Sequence, residues 1–230
     1  DERSLAGREA WLSQPPVTPK QKLNVVLIVA DDLGRADTTM YDDGRVSTPN
    51  LDRIAKEGVR YGAGYVTAAL CSPSRASLLT GRYQQRFGHE AQPHDRYVGS
   101  GLEFLFARMF MTTDDWRLLE SRKPDDEDIE RQGIPKSELL WPELLKRAGY
   151  ATGMFGKWHL GWNRDFQPQH RGFQEFTGFY EAYSLYASPA DQKGIINRHL
   201  PEFSDRFIWG RGRSGIAALV RNDQVVEEPR

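Results

Sequence analysis

The sequence predicts an α/β fold, a mostly parallel sheet sandwiched by helices, and three observations predict it. Leu23 to Ala30 is an almost unbroken apolar run rich in branched residues, ended by Asp31-Asp32-Leu33-Gly34. Such a run suits a strand covered on both faces. Tyr150 to Phe155 is a second candidate buried strand, ending at Gly156. Between the two runs stand helix signatures at Thr48–Gly58, Ser72–Gly81 and Trp141–Gly149, with prolines near their starts and glycines at their ends. In open sheets of this kind ligands sit beyond the carboxyl ends of the strands. Asp31 and Asp32 after the first run, and Lys157 and His159 after the second, are therefore where chemistry is expected.

Composition narrows the class. With 230 residues, 39% hydrophobic and 27% charged, the chain can bury a substantial core in one large domain or two small ones. A net charge of −1 gives no global field for nucleic acid or an anionic membrane surface. The single cysteine, Cys71, excludes an internal disulfide. Leu102 to Met111, the best apolar run for a membrane, is short and contains Glu103 and Arg108, so no transmembrane segment is expected. Residues 1–22 are polar, contain Pro15, Pro16 and Pro19, lack the apolar stretch of a signal peptide, and read as a tail before a domain over 23–230.

Taken in order, Asp31 and Asp32 are hard oxygen ligands suited to calcium or magnesium, or else solvated acids of a turn. In the next helix Thr48 is the expected cap, Pro49 the first residue, and Leu51, Ile54 and Ala55 one apolar face. Val59 to Val66 alternates weakly and reads as a short strand, weakened by Gly62 and Gly64. It delivers the chain to Cys71-Ser72-Pro73-Ser74-Arg75. There Ser72 is the expected cap, Leu78 and Leu79 the apolar side, and Gly81 the stop. The helix start beside Cys71 favours an anionic ligand, and Arg75 adds a forked cation one turn along.

Further along, His89, His94 and Asp95 read as polar loop side chains rather than a metal site. Leu102 to Leu119 reads as a helix with an interruption near Thr112–Asp115, and Ser121 to Gly133 as a solvated charge run. Pro142 falls in the first turn of the Trp141–Gly149 helix, with Leu144 and Leu145 expected inward. If the loop Gly156-Lys157-Trp158-His159-Leu160-Gly161 is extended, Lys157 and His159 share one side and Trp158 packs on the other. A lysine binds negative charge and a histidine moves protons, so the pair suits an anionic substrate. Trp209 to Arg213 reads as a basic loop, and Leu219 to Glu227 as a hairpin strand.

Cys-Ser-Pro-Ser-Arg followed by Leu-Thr-Gly-Arg resembles the signature of the type I sulfatases of the alkaline phosphatase superfamily. Gly-Lys-Trp-His-Leu-Gly resembles that family's second motif, and Asp31-Asp32, Thr48–Gly58 and Gln169–Tyr180 match in the family's order. The resemblance implies that a formylglycine-generating enzyme oxidises Cys71 to formylglycine. It also implies that Asp31, Asp32 and the hydroxyl derived from Cys71 hold Ca2+, with Mg2+ as the alternative ion. Arg75 and Lys157 then stabilise sulfate charge, His159 assists the nucleophile, and His170 has no catalytic role. The implied substrate is the sulfate ester of a small molecule or carbohydrate, and the implied compartment is the periplasm or the exterior.

Relative to the family, residues 91–137 read as an insertion. A downstream acid histidine, a second sulfate-binding lysine and further calcium ligands are not found, so this reads as the N-terminal portion of a catalytic domain. A phosphodiesterase or phosphonate hydrolase of the same superfamily, and a non-catalytic fragment that needs the remaining half, stand as alternatives.

Overall fold

Two glycines face each other where the first pair of strands is formed. Strands β1 (Gly153–Lys157) and β2 (Glu175–Phe179) run parallel, with Gly156 opposite Gly178. A Cβ on Gly178 would sit 1.9 Å from the Gly156 carbonyl oxygen, so only glycine permits this approach. Two short strands, β3 (Val220–Arg221) and β4 (Gln224–Val225), extend β2 as an antiparallel hairpin and complete a four-stranded mixed sheet in the order β1-β2-β3-β4. The hairpin falls within the segment expected to form one.

This computed structural model describes residues 4–15, 20–41, 44–93, 125–181 and 218–226. They fall into two units, Asp1–Lys20 with Ala68–Arg230, and Gln21–Thr67. The expected helix over Leu102–Leu119, most of the 91–137 insertion and the Trp209–Arg213 loop lie outside the described residues.

In the larger unit, helix α1 (Leu5–Ser13) occupies the segment expected to be a tail. The Ser4 hydroxyl caps it by accepting from the Gly7 N–H at 2.9 Å. Arg8 pairs with Glu143, and Arg147 donates to the Trp11 carbonyl at 2.9 Å while its guanidinium lies 4.2 Å from the Trp11 ring centroid. These contacts dock the polar leader onto the fold, which no apolar pattern in it foretold.

The core of this unit joins Trp158, Leu160, Phe173, Phe176, Ile134, Leu140 and Ala76. Phe173 meets Trp141 and Trp158 edge to face, at 6.1 and 6.2 Å between ring centroids. Arg171 is buried beside this cluster. Its guanidinium donates to the carbonyls of Ile134 at 3.0 Å and Glu138 at 2.7 Å, and stands 3.5 Å from Glu143. Burial pulls Arg171 below its ordinary value, opposed chiefly by the charge of Glu143. Glu143 also accepts from the Leu140 N–H at 2.9 Å, closing the N-terminus of the short helix Trp141–Arg147. That helix turns Pro142 and Glu143 inward and leaves Leu144 exposed, contrary to the expected Leu144 and Leu145 face, because Glu143 is drawn in by Arg8 and Arg171. The short helix Asp126–Glu130 is exposed along most of its length, in keeping with a solvated charge run.

In the smaller unit, helix α2 (Pro49–Glu57) forms where expected, with Pro49 first. Its predicted cap is otherwise engaged: the Thr48 hydroxyl accepts from the Thr39 N–H at 2.9 Å, and Asp52 accepts from the Thr39 hydroxyl at 2.8 Å. The guanidinium groups of Arg35 and Arg60 lie 5.0 and 5.7 Å from the Tyr41 ring centroid. Leu23–Ala30 and Val59–Val66 are not strands. Both are exposed, with Val26 at 84% and Ile28 at 80%. An apolar run records that a segment needs cover, while a strand also needs a partner's N–H and C=O groups, and neither run has such a ladder here.

Among the described residues no helix is long and apolar enough to cross a membrane. Gly178→Ala is expected to destabilise the larger unit by about 2–4 kcal/mol, as overpacking at a backbone contact does. Urea unfolding monitored by tryptophan fluorescence reads this as a lower midpoint.

Candidate active site

Helix α3 (Cys71–Thr80) carries the cysteine as its first residue. Ser72, Pro73, Ala76, Ser77 and Leu79 are buried, so the inner face follows helical spacing, while Leu78 points out. Gly81 ends the helix in the left-handed conformation at φ 67°, and its N–H donates to the Ser77 carbonyl at 2.8 Å. The start differs from expectation. Leu70 is the cap residue, without a side-chain cap bond, and the Ser72 hydroxyl is turned inward to His89. Cys71 is half-buried at the first turn, where unpaired backbone N–H groups concentrate positive potential.

Arg75 ties this helix to β1. Its Nη1 donates to the Lys157 carbonyl at 2.6 Å, bringing the cysteine motif and the Lys-Trp-His motif together. Lys157 is the last residue of β1 and is buried, as are Trp158 and His159 after it. The N–H groups of Trp158 and His159 donate to the Phe179 and Tyr180 carbonyls, both at 3.0 Å, which carries the chain along β2 beyond the strand's end. Trp158 packs inward as expected, its indole N–H donating to Phe166 O at 3.0 Å. The loop is not fully extended, however. His159 has φ 60°, which breaks the alternation that would have set it beside Lys157 by strand geometry.

Non-glycine residues in the left-handed region are uncommon and gather at functional sites. Among the described residues they are Asp32 at φ 57°, His159 at φ 60° and Asn222 at φ 53°. Two of these three, Asp32 and His159, are candidate site residues named from the sequence motifs. Asp31 and Asp32 lie in the smaller unit, exposed, at a turn that leads into the short 3-10 segment Arg35–Asp37.

His89 was expected to be a loop side chain, and the structure buries it. Its Nε2 lies 2.7 Å from Ser72 Oγ and its Nδ1 3.2 Å from the Gly133 carbonyl. Burial lowers its pKa below the ordinary 6.5, with the Gly133 carbonyl pulling the other way. No spacing rule links positions 72, 89 and 133, so only the fold reveals the contact. His170, given no role, stands 4.0 Å from Asp223.

These elements are those of an α/β fold with the candidate side chains at a helix start and a strand end. The family model described as Sulfatase matches residues 23–216, and the chain belongs to the sulfatase family. N-acetylgalactosamine-6-sulfatase of Rattus norvegicus is 36% identical over 203 residues, covering 88% of this chain and 32% of that protein. Arylsulfatase A of Homo sapiens is 40% identical over 157 residues, covering 67% and 25%. The chain thus spans about a third of the length of the curated relatives it matches first, within the N-terminal part of their catalytic domains. Among solved structures, that of Ps i-CgsB is similar with a TM-score of 0.60 at 29% identity, covering 90% of this chain and 38% of that one. PsFucS1 sulfatase from Pseudoalteromonas sp. gives 0.50 at 25% identity, covering 91% and 34%.

The buried histidine makes a pH prediction. A His whose folded pKa is depressed contributes stability that is present above its unfolded value near 6.5 and is lost as pH falls through the folded value. The melting temperature is therefore expected to fall between pH 7 and pH 5, and His89→Gln to flatten that slope in thermal melts.

Proposed function

We propose that the protein carrying this chain hydrolyses sulfate esters, with Cys71, oxidised to formylglycine by a formylglycine-generating enzyme, as the source of the nucleophile. The observation that carries the reading is the sulfatase family match over 23–216, which takes in all six candidate residues in order. Formylglycine supplies, as its hydrate, a geminal diol that attacks sulfur and can release the product by regenerating the aldehyde. The donor set fits a hard divalent cation: Asp31 and Asp32 are adjacent, exposed carboxylates at a left-handed turn. Ca2+, or Mg2+ in its place, would be held by these carboxylates with the Cys71-derived hydroxyl, and would supply Lewis-acid stabilisation of the sulfate oxygens.

The chain's own side chains do the rest. Position 71, at the start of a ten-residue helix, lies where the dipole favours an anion. Arg75 directs one N–H to the Lys157 carbonyl, which fixes the guanidinium plane and aligns the strand end that presents Lys157. Lys157, largely withdrawn from water, binds the sulfate as a cation in a low-dielectric setting. His159, in a left-handed conformation with its N–H donating to the Tyr180 carbonyl, moves the proton of the attacking hydroxyl. The names of the relatives, which include an N-acetylgalactosamine-6-sulfatase and a structure in complex with k-i-k-neocarrahexaose, favour a sulfated carbohydrate as substrate.

The test is turnover of sulfate esters by the protein produced with the formylglycine-generating enzyme, with phosphate esters assayed in parallel. Cys71→Ala is expected to abolish hydrolysis, and retained turnover would sink the proposal. Lys157→Ala is expected to lower kcat/KM by about 100-fold or more, the scale on which an oxyanion-stabilising group is lost. An unchanged kcat/KM removes Lys157 from its role, and faster phosphate than sulfate hydrolysis moves the reading to a phosphoesterase.

A further inference from the structure

We infer that His89 is a positioning residue for the group at position 71, acting through Ser72. The hydrogen bonds determine its protonation pattern. Nδ1 faces the Gly133 carbonyl at 3.2 Å, and a carbonyl only accepts, so Nδ1 carries the proton. Burial keeps the ring neutral at neutral pH, which leaves Nε2 bare. The Ser72 hydroxyl, 2.7 Å away, therefore donates to Nε2. A serine donating to a histidine has the composition of a nucleophile and its base, but Ser72 is 0% exposed and His89 6%, so no ester reaches either. The chain Ser72 to His89 to Gly133 works as a pin rather than a relay.

The pin holds one end of α3 in particular. Ser72 follows Cys71 directly, in the first helical turn, where no side-chain cap bond holds the start. A second clamp lies further along: the Ser77 hydroxyl donates to Gln84 Oε1 at 2.6 Å and accepts from the Gln84 N–H at 3.1 Å. Residues 84–89 thus splint the inner face of the helix, and His89 is the contact beside the reactive residue. Without it Ser72 would leave a buried hydroxyl unsatisfied, and the first turn would relieve that cost by fraying. The positioning role rests on the nucleophile assignment made above, but its geometry can be read without turnover.

Because Cys71 is the only cysteine, alkylation by iodoacetamide of the chain made in a host that leaves it a thiol reports on position 71 alone. Rates are measured well below the melting temperature, with circular dichroism confirming the fold of each variant. His89→Ala and Ser72→Ala are each expected to raise the rate about threefold or more, and the double variant no further, as coupled neighbours behave. His89→Gln, whose amide oxygen can still accept from Ser72, is expected to restore a rate near that of the parent. If His89→Ala does not fold, Ser72→Ala against His89→Gln decides. Unchanged alkylation in folded Ser72→Ala, additive effects in the double variant, or no rescue by glutamine would each overturn the inference. Loss of sulfatase activity in unrelated variants would leave it standing.

Discussion

A hydrogen bond from the Arg75 guanidinium to the Lys157 carbonyl at 2.6 Å joins segments 82 positions apart and brings the two motifs together. A charged donor on a carbonyl is stronger than a neutral pair, and this one acts where β1 ends. Its consequences run in both directions. The helix that begins at Cys71 is fixed against the strand end, and the buried Lys157 and His159 are held in register with the helix. The paired glycines of β1 and β2 contribute from below, since their close approach brings the strands to the position in which Phe179 and Tyr180 can accept from Trp158 and His159.

Around that bond the larger unit is organised by buried polar groups as much as by apolar ones. Arg171 saturates carbonyls of the 134–138 loop, Arg82 pairs with Glu138, and Glu143 serves Arg8, Arg171 and the start of its own helix. Removing one partner from such a set costs more than the pair contributes, because the other is left charged and buried. Such a lattice specifies one arrangement of loops that have little regular structure of their own.

Local chemistry in the sequence was legible, and partnership was not. Gly81 as a left-handed stop, Pro49 as the first residue of a helix, Trp158 as the inward residue of its loop and the hairpin near Val220 follow from properties of those residues and their immediate neighbours. The failures share one cause. Thr48 and Ser72 are good caps by type, yet each has a distant partner, Thr39 and His89, that competes for the hydroxyl. Likewise Glu143 is a surface residue by type, drawn inward by two arginines, one 28 positions after it and one 135 before it. Cys71, Arg75, Lys157 and His159 could be named as candidates because motif and chemistry coincide, whereas the contacts of His89 follow from no motif and are visible only in the fold.

Leu23–Ala30 has a further meaning. A β-branched segment with no proline and no internal charge is the kind of sequence that, wherever it is left uncovered, templates intermolecular cross-β association. Lys20 and Lys22 stand before it and Asp31 and Asp32 directly after it. Opposite charges at the two ends oppose stacking of identical chains in parallel register, where like would meet like, in the manner of aggregation gatekeepers. The aspartates proposed to bind a cation would then also guard solubility, so that neutralising them by a bound ion or by mutation removes a colloidal safeguard along with a ligand set.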